Sequence, residues 1–242
     1  MREKAIEIKR FSVNFDETKI LKDVSLEVNK GEAIYFLGGN GSGKSTLFNS
    51  LTGRIKSSNE LFKIRGKAVH HAQFPSLFSN MTVKENIQTY SLIFSDKISD
   101  SVIDEWIFKL GIKECGNKPI EKLSGGQRQR LALIISMIRK GDIYLFDEAD
   151  SAMDPRGRQI FFELLVQLKK SGKTILWISH HVKESVEIAD RCYLLKNLNM
   201  NEFCENDIAP EFYNYTEESF VEKIEDIVKD KTFKTKGNKE AV

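Results

Sequence analysis

A nine-residue stretch, Gly38-Gly39-Asn40-Gly41-Ser42-Gly43-Lys44-Ser45-Thr46, constrains this chain more than any other. It satisfies the spacing G-x-x-x-x-G-K-[ST], follows the wholly apolar run Ala33–Leu37 and opens the helix-like segment Lys44–Gly53. The physical content of that pattern is a phosphate cradle. Glycines let successive backbone N–H groups turn inward, and the helix beginning near Lys44 adds its positive end. Lys44 is placed to reach the β- and γ-phosphates of a nucleotide, and the Ser45 hydroxyl to ligate Mg²⁺. In a strand-to-helix context, a glycine-rich turn that binds nothing is much the weaker reading.

The rest of the chain supplies the frame such a loop needs. Apolar runs like Ala33–Leu37 recur at Ile143–Phe146, Thr174–Ile178 and Cys192–Leu195. Helical patterns separate them, at Gly125–Lys140 and at Arg158–Lys170, where Ile160, Phe161, Leu164, Leu165 and Leu168 share one face. Buried strands alternating with helices predict an α/β fold, a P-loop NTPase core with a mostly parallel sheet. Ahead of it, Ala5–Val13 and Ile20–Val28 alternate about the turn Asp16–Lys19, a small N-terminal antiparallel β-subdomain. A stretch from about Pro75 to Lys122 carries helical patterns at Val83–Phe94 and Ser101–Leu110 with no apolar strand between them, and reads as a helical insert. From Asn199 acids outnumber bases. There Thr216–Asp230 places Phe220, Val221, Ile224, Ile227 and Val228 on one helical face, and the chain beyond Lys231 reads as a frayed polar tail. The expected organisation is one domain over 1–198, with its insert at about 75–122, and an extension over 199–242.

Composition narrows the function classes. Of 242 residues, 40% are hydrophobic and 30% charged, enough to bury a core. The longest apolar run, Leu131–Ile138, is far short of the ~18 residues a membrane span needs. The N-terminus has no apolar signal segment, so a cytoplasmic protein is expected, with any membrane-spanning part supplied by another chain. A net charge of +2 with scattered basic residues gives no reason to expect a nucleic-acid partner. Cys115, Cys192 and Cys204 lack metal-like spacing and read as buried or half-buried thiols. The histidine pairs His70-His71 and His180-His181 are adjacent, so on a strand they would point opposite ways.

Two further segments carry chemistry. Leu145-Phe146-Asp147-Glu148 ends a buried strand in two carboxylates: Asp147 is placed to hold Mg²⁺ and Glu148 to orient an attacking water. An acidic helix cap is the competing reading, and the company of a phosphate loop disfavours it. Leu123-Ser124-Gly125-Gly126-Gln127 is a capped, glycine-exposed helix start, which makes a second anion site in one chain. One nucleotide has no use for two separate cradles unless the second serves a neighbouring molecule. This L-S-G-G-Q resembles the signature of the ABC ATPase family.

The resemblance covers about residues 4–196 and implies further roles. Gln73, in His71-Ala72-Gln73-Phe74, looks like the Q-loop glutamine that touches Mg²⁺ and water. Ser151-Ala152-Met153-Asp154 is similar to the D-loop that crosses to a second subunit. His180 matches the switch histidine that holds the γ-phosphate and Glu148 in register. Phe15 occupies the position of the aromatic that stacks on adenine, with Phe11 its competitor and core packing open for both. ATP and Mg²⁺ are the implied cofactors. A second copy of the chain or a sister ATPase would bring Ser124 and Gly126 over the γ-phosphate held by Gly38, Asn40, Gly41, Ser42, Gly43, Lys44, Ser45 and Thr46.

By the same resemblance, a polytopic membrane subunit would dock near Phe74–Thr89. The chain would then be the ATP-hydrolysing subunit of a transporter, attached peripherally to the inner face of the membrane. The run from Glu148 to Asp154 leans toward export. A soluble ABC ATPase of the iron–sulfur assembly type is the alternative.

The chain departs from the family pattern at several places. Asp150 stands where Thr is usual, and as a third carboxylate it would either raise a neighbour's pKa or face solvent. His181 stands where Asp is usual and reads as surface. The interval Lys44–Gln73 is short, and no glycine turn follows Leu195.

Overall fold

The computed structural model describes residues 3–15, 17–55, 62–73, 76–94, 97–208 and 219–228, without the side chains of Phe15 and Glu205. Alternation in the first two segments produces the predicted ladder. β1 (Lys4–Phe15) runs antiparallel to β2 (Thr18–Asn29), and a three-residue strand, β4 (Phe62–Ile64), pairs with the other edge of β1. Leu21, Val24, Leu26 and Val28 are buried while the residues between them are exposed, and the spacing widens by one between Leu21 and Val24, where the ladder to β1 shifts register.

The second sheet has six strands in the order β5 (Ala68–His71), β6 (Ile143–Asp147), β7 (Thr174–Ile178), β3 (Ala33–Leu37), β8 (Arg191–Lys196), β9 (Asn199–Phe203). The first five are parallel and β9 is antiparallel to β8. β3, β6 and β7 are buried at every position, as strands covered on both faces must be.

Alternate residues of β3 serve two cores. Ile34 and Phe36 face α1 (Lys44–Leu51) and the antiparallel sheet, whereas Ala33, Tyr35 and Leu37 face the other layer. That second layer holds α4 (Gly125–Ile138), α5 (Pro155–Lys170) and α6 (Val182–Ile188). The Phe36 ring meets Phe48 of α1 edge-on at 5.6 Å, a pairing worth about 0.5–1.5 kcal/mol beyond the area it buries. Helices α2 (Val83–Ile93) and α3 (Asp100–Lys109) form the insert. Their buried residues Val83, Ile87, Ile103 and Ile107 join the same core as α4 and α5.

Four elements carry no apolar run and escape a reading of the sequence. β4 is short, β5 reads Ala-Val-His-His, β9 reads Asn-Met-Asn-Glu-Phe, and α6 spans only seven residues. β8 and β9 form a hairpin whose two-residue turn, Asn197-Leu198, has φ of 51° and 66°. Turns of this kind normally take glycine or asparagine at such angles; here leucine fills the second position, and its carbonyl accepts the N–H of Lys22 at 2.9 Å.

Residues 219–228 are helical (α7) and seat Phe220, Val221, Ile224 and Val228 in the core. Glu225 of α7 pairs with Lys196 and accepts from the Asn197 amide at 3.1 Å. The remainder of the amphipathic segment read over Thr216–Asp230, and the tail after it, lie outside the described residues. Cys115 and Cys192 are buried as expected, but Cys204 is exposed, because it follows the last residue of the edge strand β9.

Candidate active site

Parallel strands bring their C-terminal ends to one rim of the sheet, where open α/β sheets bind ligands. The loop after β3, the Asp147 end of β6, the turn after β7 and the segment after β5 all sit on that rim. The loop at residues 38–43 is wedged between the sheet and its own helix. A Cβ on Gly38 would lie 2.4 Å from the carbonyl oxygen of Leu195 and 2.6 Å from Ser42 Oγ, so only glycine fits. Lys44 is buried, and its ammonium donates to the carbonyls of Gly38 and, at 3.1 Å, Gly39. Asn40 and Gly41, by contrast, are exposed at the crest of the loop, with Ser42 half-buried behind them. Thr46, one turn into α1, uses its carbonyl to accept the Ser50 hydroxyl at 2.8 Å.

Ser45 Oγ donates to Asp147 Oδ1 at 3.1 Å, across 102 residues of chain. One hydroxyl and one carboxylate side by side are oxygen ligands that could hold a hard cation together with phosphate oxygens and water. Burial pushes the Asp147 carboxyl up to about 6, against the pull of Ser45 and Lys44.

Glu148 is the reverse case. The hydrogen bond from His180, ahead of the opposing effect of burial, holds its carboxyl below the ordinary range. Gln73 Nε2 donates to Glu148 Oε2 at 2.6 Å, and His180 Nε2 lies 3.5 Å from Oε1. The Glu148 backbone has φ of 49°, rare for a side-chain-bearing residue, and its N–H is fixed to the Ile178 carbonyl at 3.1 Å. Two adjacent carboxylates are thus driven apart in acidity, a pattern that marks acid–base sites.

Ser124 caps α4 in a reciprocal box: its Oγ accepts from the Gln127 N–H at 3.2 Å, and the Ser124 N–H donates to Gln127 Oε1 at 3.0 Å. Ser124 and Gly125 are exposed. A Cβ on Gly126 would meet the Ala152 carbonyl at 2.8 Å, so this helix start rests on the Ser151–Asp154 turn. A cavity of about 450 Å³ opens here, lined by Gln73, Gly125, Arg128, Ser151 and Ala152, with no residue of 38–46 among the described lining. Among the described residues, then, the helix start at Ser124 and the loop at residues 38–43 do not line one cavity. Asp154 caps α5, accepting from the Gly157 N–H at 2.7 Å, and pairs with the buried Arg130.

Several residues stand otherwise than the sequence suggested. Asp150 does not face solvent: it is 1% exposed and accepts the Ser179 hydroxyl at 2.6 Å. Nor is His181 a plain surface residue; it is half-buried, 3.9 Å from Asp150 Oδ2, with its ring against Phe162. Phe11 is core, packed on Phe62 at 4.7 Å, while Phe15 ends β1 opposite Thr18 and its side chain is not among those described. Of the stretch Phe74–Thr89, residues 74 and 75 lie outside the described residues as well, and Phe78 is exposed with its ring 5.4 Å from Tyr90. His70 and His71 do point opposite ways, toward Phe48 and Phe146 respectively.

A family model described as "ABC transporter" matches residues 21–151. The energy-coupling factor transporter ATP-binding protein EcfA of Malacoplasma penetrans is 34% identical over 213 residues, covering 81% of this chain and 74% of that protein. The chain belongs to the ABC transporter family of ATP-binding subunits. A taurine import ATP-binding protein, TauB of a Jannaschia species, is 31% identical over 78% of this chain and 76% of its own length. Among solved structures, the ADP conformation of an ATP-binding cassette of an ABC transporter matches with a TM-score of 0.72, at 23% identity, over 91% of this chain and 98% of that one. ABC ATPases bind ATP and hydrolyse it to drive transport, and that is the activity of this chain. Such subunits pair with one another and work with membrane permease subunits. Among the described residues, no helix is long and apolar enough to cross a membrane.

Proposed function

We propose that this chain drives a separate membrane-spanning subunit by closing, in pairs, around two ATP molecules and reopening after hydrolysis. The observation that carries the reading is the double grip of Gln73 and His180 on Glu148, one residue from the Ser45–Asp147 pair. The backbone of residues 38–43 and the Lys44 ammonium bind the phosphates, Lys44 exchanging its carbonyl partners for them. Ser45 and Asp147, with Gln73 nearby, would hold Mg²⁺, which supplies charge neutralisation at the phosphate oxygens. Glu148, kept ionised by His180, accepts a hydrogen bond from water and aims it at the γ-phosphorus; His180 keeps the carboxylate from turning away. Ser124 and Gly126 of a second copy complete the pocket; the exposure of Ser124, and a cavity at this helix start lined by no described residue of 38–46, support that division of labour. Phe15 stacks on the adenine.

The membrane partner docks over the Q-loop and the start of α2, near Phe74–Thr89, which keeps the chain at the inner face of the membrane. The relatives named above are transport proteins, which favours this reading over a soluble assembly ATPase. TauB is named an importer, which weighs against the export preference, so no direction of transport is assigned. Glu148→Gln keeps the shape but removes the acceptor charge: turnover should fall at least about 100-fold while ATP is still bound and a dimer accumulates. Wild-type phosphate release from that variant would refute the assignment.

A further inference from the structure

Two departures from the family pattern, Asp150 and His181, lie 31 positions apart in sequence and meet in space. Asp150 follows the catalytic pair and opens the Ser151–Asp154 turn. The Ser151 N–H donates to the Glu148 carbonyl at 3.1 Å, and the Met153 N–H to the Asp150 carbonyl at 3.1 Å. The Asp150 side chain turns inward. With 1% exposure, Oδ2 receives the Ser179 hydroxyl at 2.6 Å, and Oδ1 is buried with no hydrogen-bond partner. A carboxylate buried this way is costly unless something compensates it. The compensation comes from the turn after β7. Ser179 Oγ also accepts the His181 N–H at 3.0 Å, the Ser179 carbonyl accepts the Tyr35 hydroxyl at 2.8 Å, and His181 Nε2 stands 3.9 Å from Oδ2. His180 sits between the two residues so fixed.

We propose that Asp150 and His181 are positioning residues for hydrolysis: their pairing through Ser179 sets the residue 179–181 turn so that His180 meets Glu148, and binds that turn to the start of the D-loop. The inference rests on the roles given above to Glu148 and His180. It implies that a change in the D-loop, where a second copy is proposed to contact, reaches the switch histidine through one carboxylate. Burial acts on Asp150 to favour the neutral form, while the Ser179 bond and the charge of His181 oppose it.

The test is a double-mutant cycle with Asp150→Asn, His181→Gln and the double variant, alongside Asp150→Ala, each assayed in the full chain for steady-state ATP hydrolysis. Asp150→Asn retains an acceptor for Ser179, so it remains informative if Asp150→Ala does not fold. We expect kcat to fall about 10-fold in Asp150→Ala and His181→Gln with KM for ATP within twofold, because the phosphate loop is untouched. Asp150→Asn should fall less, by about 3-fold. The double variant should be no slower than the worse single, since both changes remove one interaction. Wild-type kcat in both His181→Gln and Asp150→Ala overturns the proposal, as does a KM that rises in step with the fall in kcat, or effects that simply multiply. Glu148→Gln run in parallel separates the two readings: if it is inactive while the Asp150 and His181 variants match wild type, the brace alone is wrong. If Glu148→Gln is itself active, the site assignment beneath it fails.

Discussion

Replacing Gly38 by alanine inserts a methyl carbon where backbone already stands. The new Cβ would lie 2.4 Å from the Leu195 carbonyl oxygen and 2.6 Å from Ser42 Oγ, and real Cβ atoms essentially never come closer than 3.0 Å. Something must therefore move by about 0.6 Å. Leu195 cannot recede easily, because β8 is laddered to β3 at Leu37↔Leu194 and to β9 at Leu195↔Met200. The phosphate loop is the softer partner, and it would lift away from the sheet, carrying the Gly38 carbonyl that Lys44 binds. Overpacking of this sort costs about 1–3 kcal/mol. Taking the middle of that range, about 2 kcal/mol, at roughly 2–4 °C per kcal/mol for a domain of this size, the melting temperature should drop by about 4–8 °C.

Nucleotide affinity should fall too, by about 10-fold or more, since each 1.4 kcal/mol lost from the cradle is tenfold. Gly39→Ala is the control: a Cβ added there would meet nothing within 4 Å, so its melting temperature should stay within about 1–2 °C of wild type. Calorimetric melting and titration with a fluorescent nucleotide measure both effects. If Gly38→Ala melts and binds like Gly39→Ala, the argument from close approach is refuted.

Ser124→Ala removes the cap of α4 and should lower the urea unfolding free energy by about 1 kcal/mol. If Ser124 also reaches ATP on a second copy, turnover at fully folded conditions should fall as well, while ATP binding to the isolated chain holds. His70 gives a pH dependence. Burial first, and Arg54 second, hold its folded pKa at about 4 against 6.5, and both ring nitrogens are buried without partners. Between pH 6.5 and 4 the unfolded state binds the extra proton, so stability present above pH 6.5 is lost as pH falls toward 4. A shift of that size gives about 2 kcal/mol at pH 5, and about 1 once the ring's partial exposure is allowed for. His70→Phe, which keeps a ring against Phe48, should remove that share of the loss between urea midpoints at pH 7 and pH 5; an unchanged difference would refute it.

The bounds of β3 and β7, and the start of α4, were legible because each is a run of apolar residues or a cap with an obvious chemical stop. The phosphate loop, Asp147, Glu148 and Ser124 could be singled out for a related reason: taken together, their residue types at their spacing point to phosphate and cation binding, a reading neither carboxylate carries alone. Gln73 could be placed only by resemblance, because the strand that delivers it, β5, is half histidine and is held by its pairing with β6 rather than by its own pattern. The contact between Asp150 and His181 was invisible for a different reason. His181 read as surface and Asp150 as either a perturber of a neighbour's pKa or a solvent-facing group, and only the packing of the turn after β7 against the turn after β6 shows that they share a serine. The Phe11 and Phe15 alternatives could not be separated by alternation, since bulges in β1 shift the register between Ile8 and Asn14.

The outer position of β9 has a practical corollary. β9 pairs with β8 from Cys192 to Lys196 on the side away from β3, and an open strand edge is the usual template on which chains add to one another. Cutting the polypeptide at residue 198 would bare that edge and also uncover the greasy patch that α7 shields. Any shortened version meant to stay dispersed in solution must therefore keep the chain through residue 228.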